Sequence, residues 1–273
     1  MRVVSLNCSN TEIVAALRLE HHLVGVDDDS DFPAELVARL PRVGRDLDVD
    51  VAKVSALAPD LVLASDTVPG HDRVIARLSA AGLPTYAPET ITLADVATDL
   101  REIARRMGEP ARGAALAAAF EATLAEARAR TERERAAGLP TPRVLLEWWP
   151  KPVIVPGARS WVTELIELAG GTNPFGDEPV KSRPVRDDEV VARAPDAAVI
   201  CWCGVKPEKY RTDVVTGRAA WAATPALRRG AVHAIPEAFL GRPGPRLLEG
   251  LAALRGVVEA ARGAIALERA GGR

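Results

Sequence analysis

Short continuous apolar runs alternate along the first hundred residues with stretches whose apolar positions recur every three to four. Val3–Leu6 reads as a buried strand and Asn7-Cys8-Ser9-Asn10 as a turn. A helix is predicted from Thr11 to about Leu19, with Ser9 and Glu12 fitting an S-x-x-E capping box. Leu23–Val26, Asp60–Ala64 and Thr85–Ala87 read as further strands. A helix carrying Val51, Val54 and Leu57 precedes the middle one, and another from about Asp72 to Ala81 ends at Gly82. Strands alternating with helices of about ten residues predict a parallel sheet.

Leu93–Met107 is the next predicted helix, interrupted by Gly108-Glu109-Pro110. Ala111–Ala137 is a longer one, about 40 Å at 1.5 Å per residue. The alternation then restarts, with strands at Arg143–Trp148, Ala197–Trp202 and Val232–Ile235 and helices at Trp161–Ala169 and Pro245–Leu267. Helix, Ala58-Pro59-Asp60, strand is echoed 136 residues later by helix, Ala194-Pro195-Asp196, strand. Ala-Pro-Asp is ordinary punctuation before a strand, but the restart after Pro140 makes two lobes the better reading. The expected fold is therefore α/β: two similar parallel-sheet lobes joined by one long helix. The expected division is an N-terminal lobe 1–108, a connecting helix 109–140 and a C-terminal lobe 141–273 with the final helix.

Composition narrows the function. The chain has 273 residues with 48% apolar and 26% charged, enough for a sizeable core without staples. A net charge of −2 provides no basic field, so nucleic acid is not an expected partner. No window approaches 18 uninterrupted apolar residues. Cys8, Cys201 and Cys203 give an odd count, and a C-x-C is too tight for an ordinary bridge along a strand. Met1-Arg2 runs into Val3 without a basic, then apolar, leader. The expectation is either a cytoplasmic chain or one whose leader has been removed. There is no G-x-S-x-G, H-E-x-x-H, Walker loop or strand-linked G-x-G-x-x-G, so no catalytic residues are assigned and no enzyme is expected.

Several segments, in order, carry a resemblance. They are Arg2–Leu6, Ser9-Asn10-Thr11-Glu12, Leu23–Val26, Asp31-Phe32-Pro33, Pro41–Gly44, Leu57–Val62, Glu164–Gly171 and Arg242–Leu247. Together they resemble the helical-backbone (class III) substrate-binding proteins of ABC importers, most of all the cobalamin-binding branch. Phe32 stands where that branch has the tyrosine of D-Y-P, and Ser65 where it often has an aromatic. The resemblance implies two lobes with a ligand cleft between them, capture of a corrinoid with no permanent cofactor, delivery to an ABC permease, and a periplasmic or cell-envelope location. It also implies docking acids; Asp72 is the match in the first lobe and Glu208 a looser one in the second. A monomer is expected. A ferric siderophore or haem is the alternative ligand. A cytoplasmic metallocofactor carrier or enzyme is the alternative of another class.

Ligands bind at the carboxyl ends of parallel strands. The candidate ligand-binding residues are Cys8, Ser9, Asn10, Phe32, Ser65, Trp148, Trp149, Trp202, Phe239 and Arg242. Flat macrocycles want aromatic faces and a few polar anchors. A buried strand does not normally finish with two tryptophans, so one of Trp148 and Trp149 is expected to face the ligand and the other the core. Trp161, opening a helix, lines the pocket or packs on it. Prolines around Arg242 hold its loop and are expected to leave the guanidinium free for amides or carboxylates, whereas Arg246 starts the last helix. His71, on a loop, is the candidate axial metal ligand, against the reading of a solvated histidine. His21 and His22 are expected at the surface and His233 in a structural strand. A thiolate metal site from Cys8, Cys201 and Cys203 is set against inert buried thiols.

Overall fold

The computed structural model describes residues 1–271. The chain divides into two units: Met1–Glu121 with Arg242–Pro245, and Ala122–Gly241 with the segment from Arg246 onward.

The first unit runs β1 (Val3–Ser5), α1 (Cys8–Ala16), β2 (Leu23–Val26), α2 (Ala34–Val37), β3 (Gly44–Arg45), β4 (Asp48–Val49), α3 (Val51–Ala56), β5 (Leu61–Leu63), α4 (His71–Ala80), β6 (Thr85–Tyr86) and α5 (Leu93–Arg106). Four strands pair in parallel in the order β2–β1–β5–β6. Val3, Val4, Val62 and Leu63 are fully buried, as strands of a two-sided parallel sheet must be. Val54 of α3 and Val74 and Leu78 of α4 pack with Val4, Leu6 and Val62 in one cluster. α5 starts on a true capping box: Thr92 accepts from the Asp95 amide while Asp95 accepts from the Thr92 amide. α6 (Pro110–Ala136) follows, and the boundary between the units falls inside it. Its start lies against α5 because residue 113 is glycine; a Cβ there would sit 2.5 Å from that of Ala104 and 2.9 Å from the Leu100 carbonyl oxygen.

The second unit continues with β7 (Val144–Glu147), β8 (Trp149–Pro150), β9 (Val153–Pro156), α7 (Trp161–Leu168), β10 (Ser182–Val185), α8 (Asp187–Arg193), β11 (Ala197–Ile200), α9 (Thr212–Thr216), α10 (Pro225–Arg228), β12 (Val232–Ala234), α11 (Glu237–Leu240) and α12 (Leu247–Gly271). β12–β11–β7 form a parallel sheet, and a lone parallel bridge, Arg143 to Thr172, prolongs it beyond β7. β10–β9–β8 form an antiparallel sheet where the apolar pattern predicts no strand. Pro150, Pro156 and Pro184 lie inside those short strands, where proline argues against a ladder. Glu134 fastens the end of α6 in this unit, accepting from Arg130, Arg255 and Arg262.

The echoed Ala-Pro-Asp is the same device twice. Ala58 and Ala194 adopt left-handed φ of 44° and 43°, closing α3 and α8 where glycine is the usual choice. Asp60 then accepts from the Arg2 amide at 2.6 Å, and Asp196 from the Arg143 amide at 2.9 Å. Each arginine side chain returns to the preceding helix end, Arg2 to the Leu57 carbonyl and Arg143 to the Arg193 carbonyl. The motif thus ties the start of each unit's first strand to the strand beside it. Strand order repeats as well: β2–β1–β5–β6 in the first unit corresponds to Thr172–β7–β11–β12 in the second.

One expected cap is corrected. α1 begins at Cys8, not Thr11, and its N-cap is Asn7, whose side chain accepts from the Asn10 amide at 2.9 Å. Ser9 and Glu12 are both buried inside the helix. Asn7 prevails because its short amide reaches the amide three residues on while its backbone remains extended, at φ −153°.

The two latches differ in burial. Asp60 is exposed, whereas Asp196 is buried and also takes Arg229 at 3.1 Å. Asp196→Ala is expected to lower unfolding free energy by about 1–3 kcal/mol and Asp60→Ala by about 1 kcal/mol or less. Urea denaturation of both variants checks the order.

Candidate functional site

A loop leaves the carboxyl end of each of the first unit's four parallel strands. The loop after β2, Asp27–Phe32, is built most heavily. Arg42 donates to the carbonyls of Asp27 at 2.6 Å, Ser30 at 2.8 Å and Val37 at 3.2 Å. The Asp27 carboxyl, fully buried, accepts from the Ser30 hydroxyl and the Asp29 amide. Ser30 bonds Thr11, and Thr11 donates to Ser5 at 2.8 Å. Burial pushes the Asp27 carboxyl up to about 6, with the Ser30 and Asp29 bonds opposing. The loop ends in Phe32, 43% exposed, before a cis Phe32–Pro33 bond.

Arg242 does not have the free guanidinium expected of it. It donates to Glu12 at 2.9 Å and to both oxygens of Asp31, at 2.6 and 3.1 Å. Glu12 is almost wholly buried, so a cation beside it is required. Burial works against the charge on Arg242, but the Asp31 and Glu12 bonds outweigh it and hold the guanidinium protonated. The role passes from ligand anchor to clamp: Arg242 fixes the residue next to Phe32.

The remaining first-unit candidates are largely engaged. Asn10 donates its amide to the Ala64 carbonyl at 2.8 Å, and the Cys8 thiol donates to the Asp29 carbonyl at 3.1 Å. Burial raises the Cys8 thiol, opposed by Arg242, so no thiolate is on offer. Ser9 is buried, and Ser65 is buried with its hydroxyl on that of Thr67 at 3.0 Å. His71 is neither solvated nor a candidate ligand. Its Nδ1 accepts from the amides of Thr67 and Val68, and Nε2 donates to Asp46 at 2.9 Å, leaving no nitrogen for a metal. Among the described residues no three His, Cys, Asp or Glu groups are placed to hold a metal ion. Asp72 lies exposed in the first turn of α4. The His21 and His22 rings meet at 4.1 Å, tilted by 41°, just before β2.

In the second unit, β7 ends at Glu147, only 2% exposed, which accepts from Trp202 Nε1 at 2.9 Å and from both Nη atoms of Arg218. Trp202 is therefore a core residue, 6% exposed, tilted against Tyr210, and not a ligand face. Of the paired tryptophans, Trp148 is half-buried and Trp149 is 40% exposed, with Nε1 donating to the Lys151 carbonyl. Trp149 is the outward face. Trp161 packs structurally, donating Nε1 to the Leu240 carbonyl at 2.7 Å. Phe239 is half-buried beneath the Arg246 guanidinium at 4.8 Å. Cys201 is buried, its thiol pushed well up by burial, and Cys203 is exposed. Glu208 is exposed in a 3₁₀ turn over Pro207–Lys209. His233 is half-buried in β12, and burial lowers its pKa.

Sequence reading missed Arg42, Glu12, Asp31, Glu147 and Arg218 as the residues that shape these loops. The run Asp27-Asp28-Asp29-Ser30-Asp31 after an apolar strand is a signal for the first group. Glu147 at the end of Val-Leu-Leu is a weaker one.

A family profile described as periplasmic binding protein matches residues 3–238. The vitamin B12-binding protein of Vibrio parahaemolyticus serotype O3:K6 is 26% identical over 258 residues, 92% of this chain and 86% of that protein. The vitamin B12-binding protein of Pectobacterium carotovorum is 28% identical over 247 residues, 90% and 84% of the two chains. Among solved structures, the periplasmic haem-binding protein RhuT from Roseiflexus sp. RS-1 superposes with a TM-score of 0.82 at 29% identity, covering 96% of this chain and 98% of that one. The periplasmic vitamin B12-binding protein BtuF of Vibrio cholerae superposes with a TM-score of 0.78 at 26% identity, covering 96% and 97%.

Two outcomes are expected from the first unit. Arg242→Ala strips the buried Glu12 of its guanidinium and lowers unfolding free energy by roughly 3–5 kcal/mol, seen in thermal melts. Between the ordinary 3.8 and about 6, Asp27 keeps in the fold a proton that the unfolded chain has lost. Its contribution to stability therefore falls as pH rises through that window. The unfolding free energy of wild type minus that of Asp27→Asn should drop by about 1–3 kcal/mol between pH 4 and 7, measured by urea titration.

Proposed function

Because the chain belongs to the periplasmic binding protein family, we propose that it captures a corrinoid and hands it to an ABC permease in the cell envelope, by binding and not by turnover. The likeness to vitamin B12-binding proteins along 92% of the chain carries the reading. Local chemistry supports it. Phe32 and Trp149, the exposed aromatics at the two units' strand ends, offer apolar faces to a flat macrocycle. Arg242 is already matched by Glu12 and Asp31, and Asp28 and Asp29 add further acid to the loop that carries Asp31. That leaves no surplus positive charge there for the carboxylates of a haem, whereas the amides of a corrin need none. Asp72 and Glu208, exposed near strand ends of their units, are the acids proposed to meet the permease. The proposed working state is a monomer that holds its ligand only in transit.

Isothermal titration with cyanocobalamin, aquocobalamin, haemin and a ferric siderophore tests the proposal. Cobalamins are expected to bind at micromolar concentration or below. Haemin binding without cobalamin binding would overturn the corrinoid assignment. Burying an indole face is worth a few kcal/mol at about 25 cal/mol per Å². Trp149→Ala is therefore expected to weaken cobalamin binding by about tenfold to a hundredfold with little change in melting temperature. Trp202→Ala is expected mainly to lower the melting temperature, because it empties a core site.

A further inference from the structure

We infer that Arg218 is a positioning residue for Trp149, holding the end of β7 and the end of β8 in one grip so that the indole projects outward. Glu147 closes β7 and Pro150 closes β8, and Trp148 and Trp149 lie between them. The Arg218 guanidinium spans that interval. It donates through both Nη atoms to the Glu147 carboxylate, through Nη2 to the Pro150 carbonyl at 3.4 Å, and lies over the Trp221 ring at 4.4 Å. Trp221 is itself fixed, buried and donating to Asp187 at 2.7 Å. Glu147 and Arg218 are only 2% and 14% exposed, so the pair is shielded from competing water. The backbone between them is held on its other side, the Trp148 amide donating to Ile154 and the Trp148 carbonyl accepting from Cys203. Arg218 meets the Glu147 carboxylate before Trp149 and the Pro150 carbonyl after it, while the Trp149 Nε1 is turned to Lys151. The arginine thus sets where the indole stands without occupying the face it presents.

A lysine at 218 keeps one charge beside Glu147 but cannot bridge two acceptors and stack on an aromatic at once. The test is Arg218→Lys, with the exposed Arg211→Lys as control, since Arg211 pairs locally with Asp213. In protein labelled with 5-fluorotryptophan, the five indoles are followed by fluorine NMR, and Trp149 is assigned from Trp149→Phe. The Trp149 resonance should move in Arg218→Lys and stay in place in Arg211→Lys, while that of Trp161 is unchanged in both. The ligand arm rests on the corrinoid reading. Arg218→Lys should weaken cyanocobalamin binding about tenfold in wild type and by no more than twofold in a Trp149→Ala background. A folded Arg218→Lys protein with an unmoved Trp149 resonance, or an equal loss of affinity in both backgrounds, would overturn the inference. Should Arg218→Lys not fold, Glu147→Gln releases the same grip while leaving Trp202 an acceptor, and is read the same way. If wild type takes up no cyanocobalamin, the corrinoid reading falls and the fluorine resonance alone decides for or against Arg218.

Discussion

A carboxylate removed from water persists as an ion only beside a cation, and Glu12 and Glu147 are 3% and 2% exposed. Each lies where a parallel strand or the helix behind it meets the loops at the carboxyl edge of a sheet, and each has drawn an arginine from far along the chain. Arg242 comes to Glu12 across 230 residues and Arg218 to Glu147 across 71. The requirement to neutralise these acids brings two otherwise distant loops into contact with the strand ends. It also consumes the guanidiniums, so the cations near the loops serve the frame. Asp27 shows the contrast. It is buried with a hydroxyl and an amide for partners, and its carboxyl rises toward neutrality.

The frame sorts the aromatic residues into two groups. Trp202 and Trp221 satisfy their indole N–H groups on Glu147 and Asp187 and lie in the core of the second unit. Trp149 and Phe32 are left outward, on chain whose neighbouring residues are clamped. Rigid backbone carrying an exposed ring lowers the entropy lost when a ligand covers that ring. Such an arrangement suits the proposed capture of a flat macrocycle.

Repetition is the other organising feature. A left-handed alanine, a proline and an aspartate finish a helix and seize the amide before the first strand in each unit. The second occurrence is more deeply built, because Arg229 joins Asp196 there and links it to Glu268 of α12. Two copies of one latch give two sheets of matching strand order, and the units differ in their antiparallel additions, β3–β4 in the first and β8–β9–β10 in the second.

The parallel strands and the long helices were legible in the sequence because their signal is local: an apolar run, or a period of three to four, survives without knowledge of its neighbours. Leu23–Val26 and the start of α7 at Trp161 coincide with the predicted bounds, and the Ala-Pro-Asp echo pointed to a repeated unit. The ordered motifs also pointed to the family. What the sequence left open was the fate of each polar and aromatic side chain. Arg242 beside prolines looks free until Glu12 and Asp31 are placed around it. His71 looks like a ligand until two amides and Asp46 take its nitrogens. Trp149 and Trp202 are alike as residues, and their separation into face and core depends on where Glu147 and Arg218 come together. The ion pairs among them join residues tens to hundreds of positions apart, and their strength comes from burial, which tertiary packing alone creates.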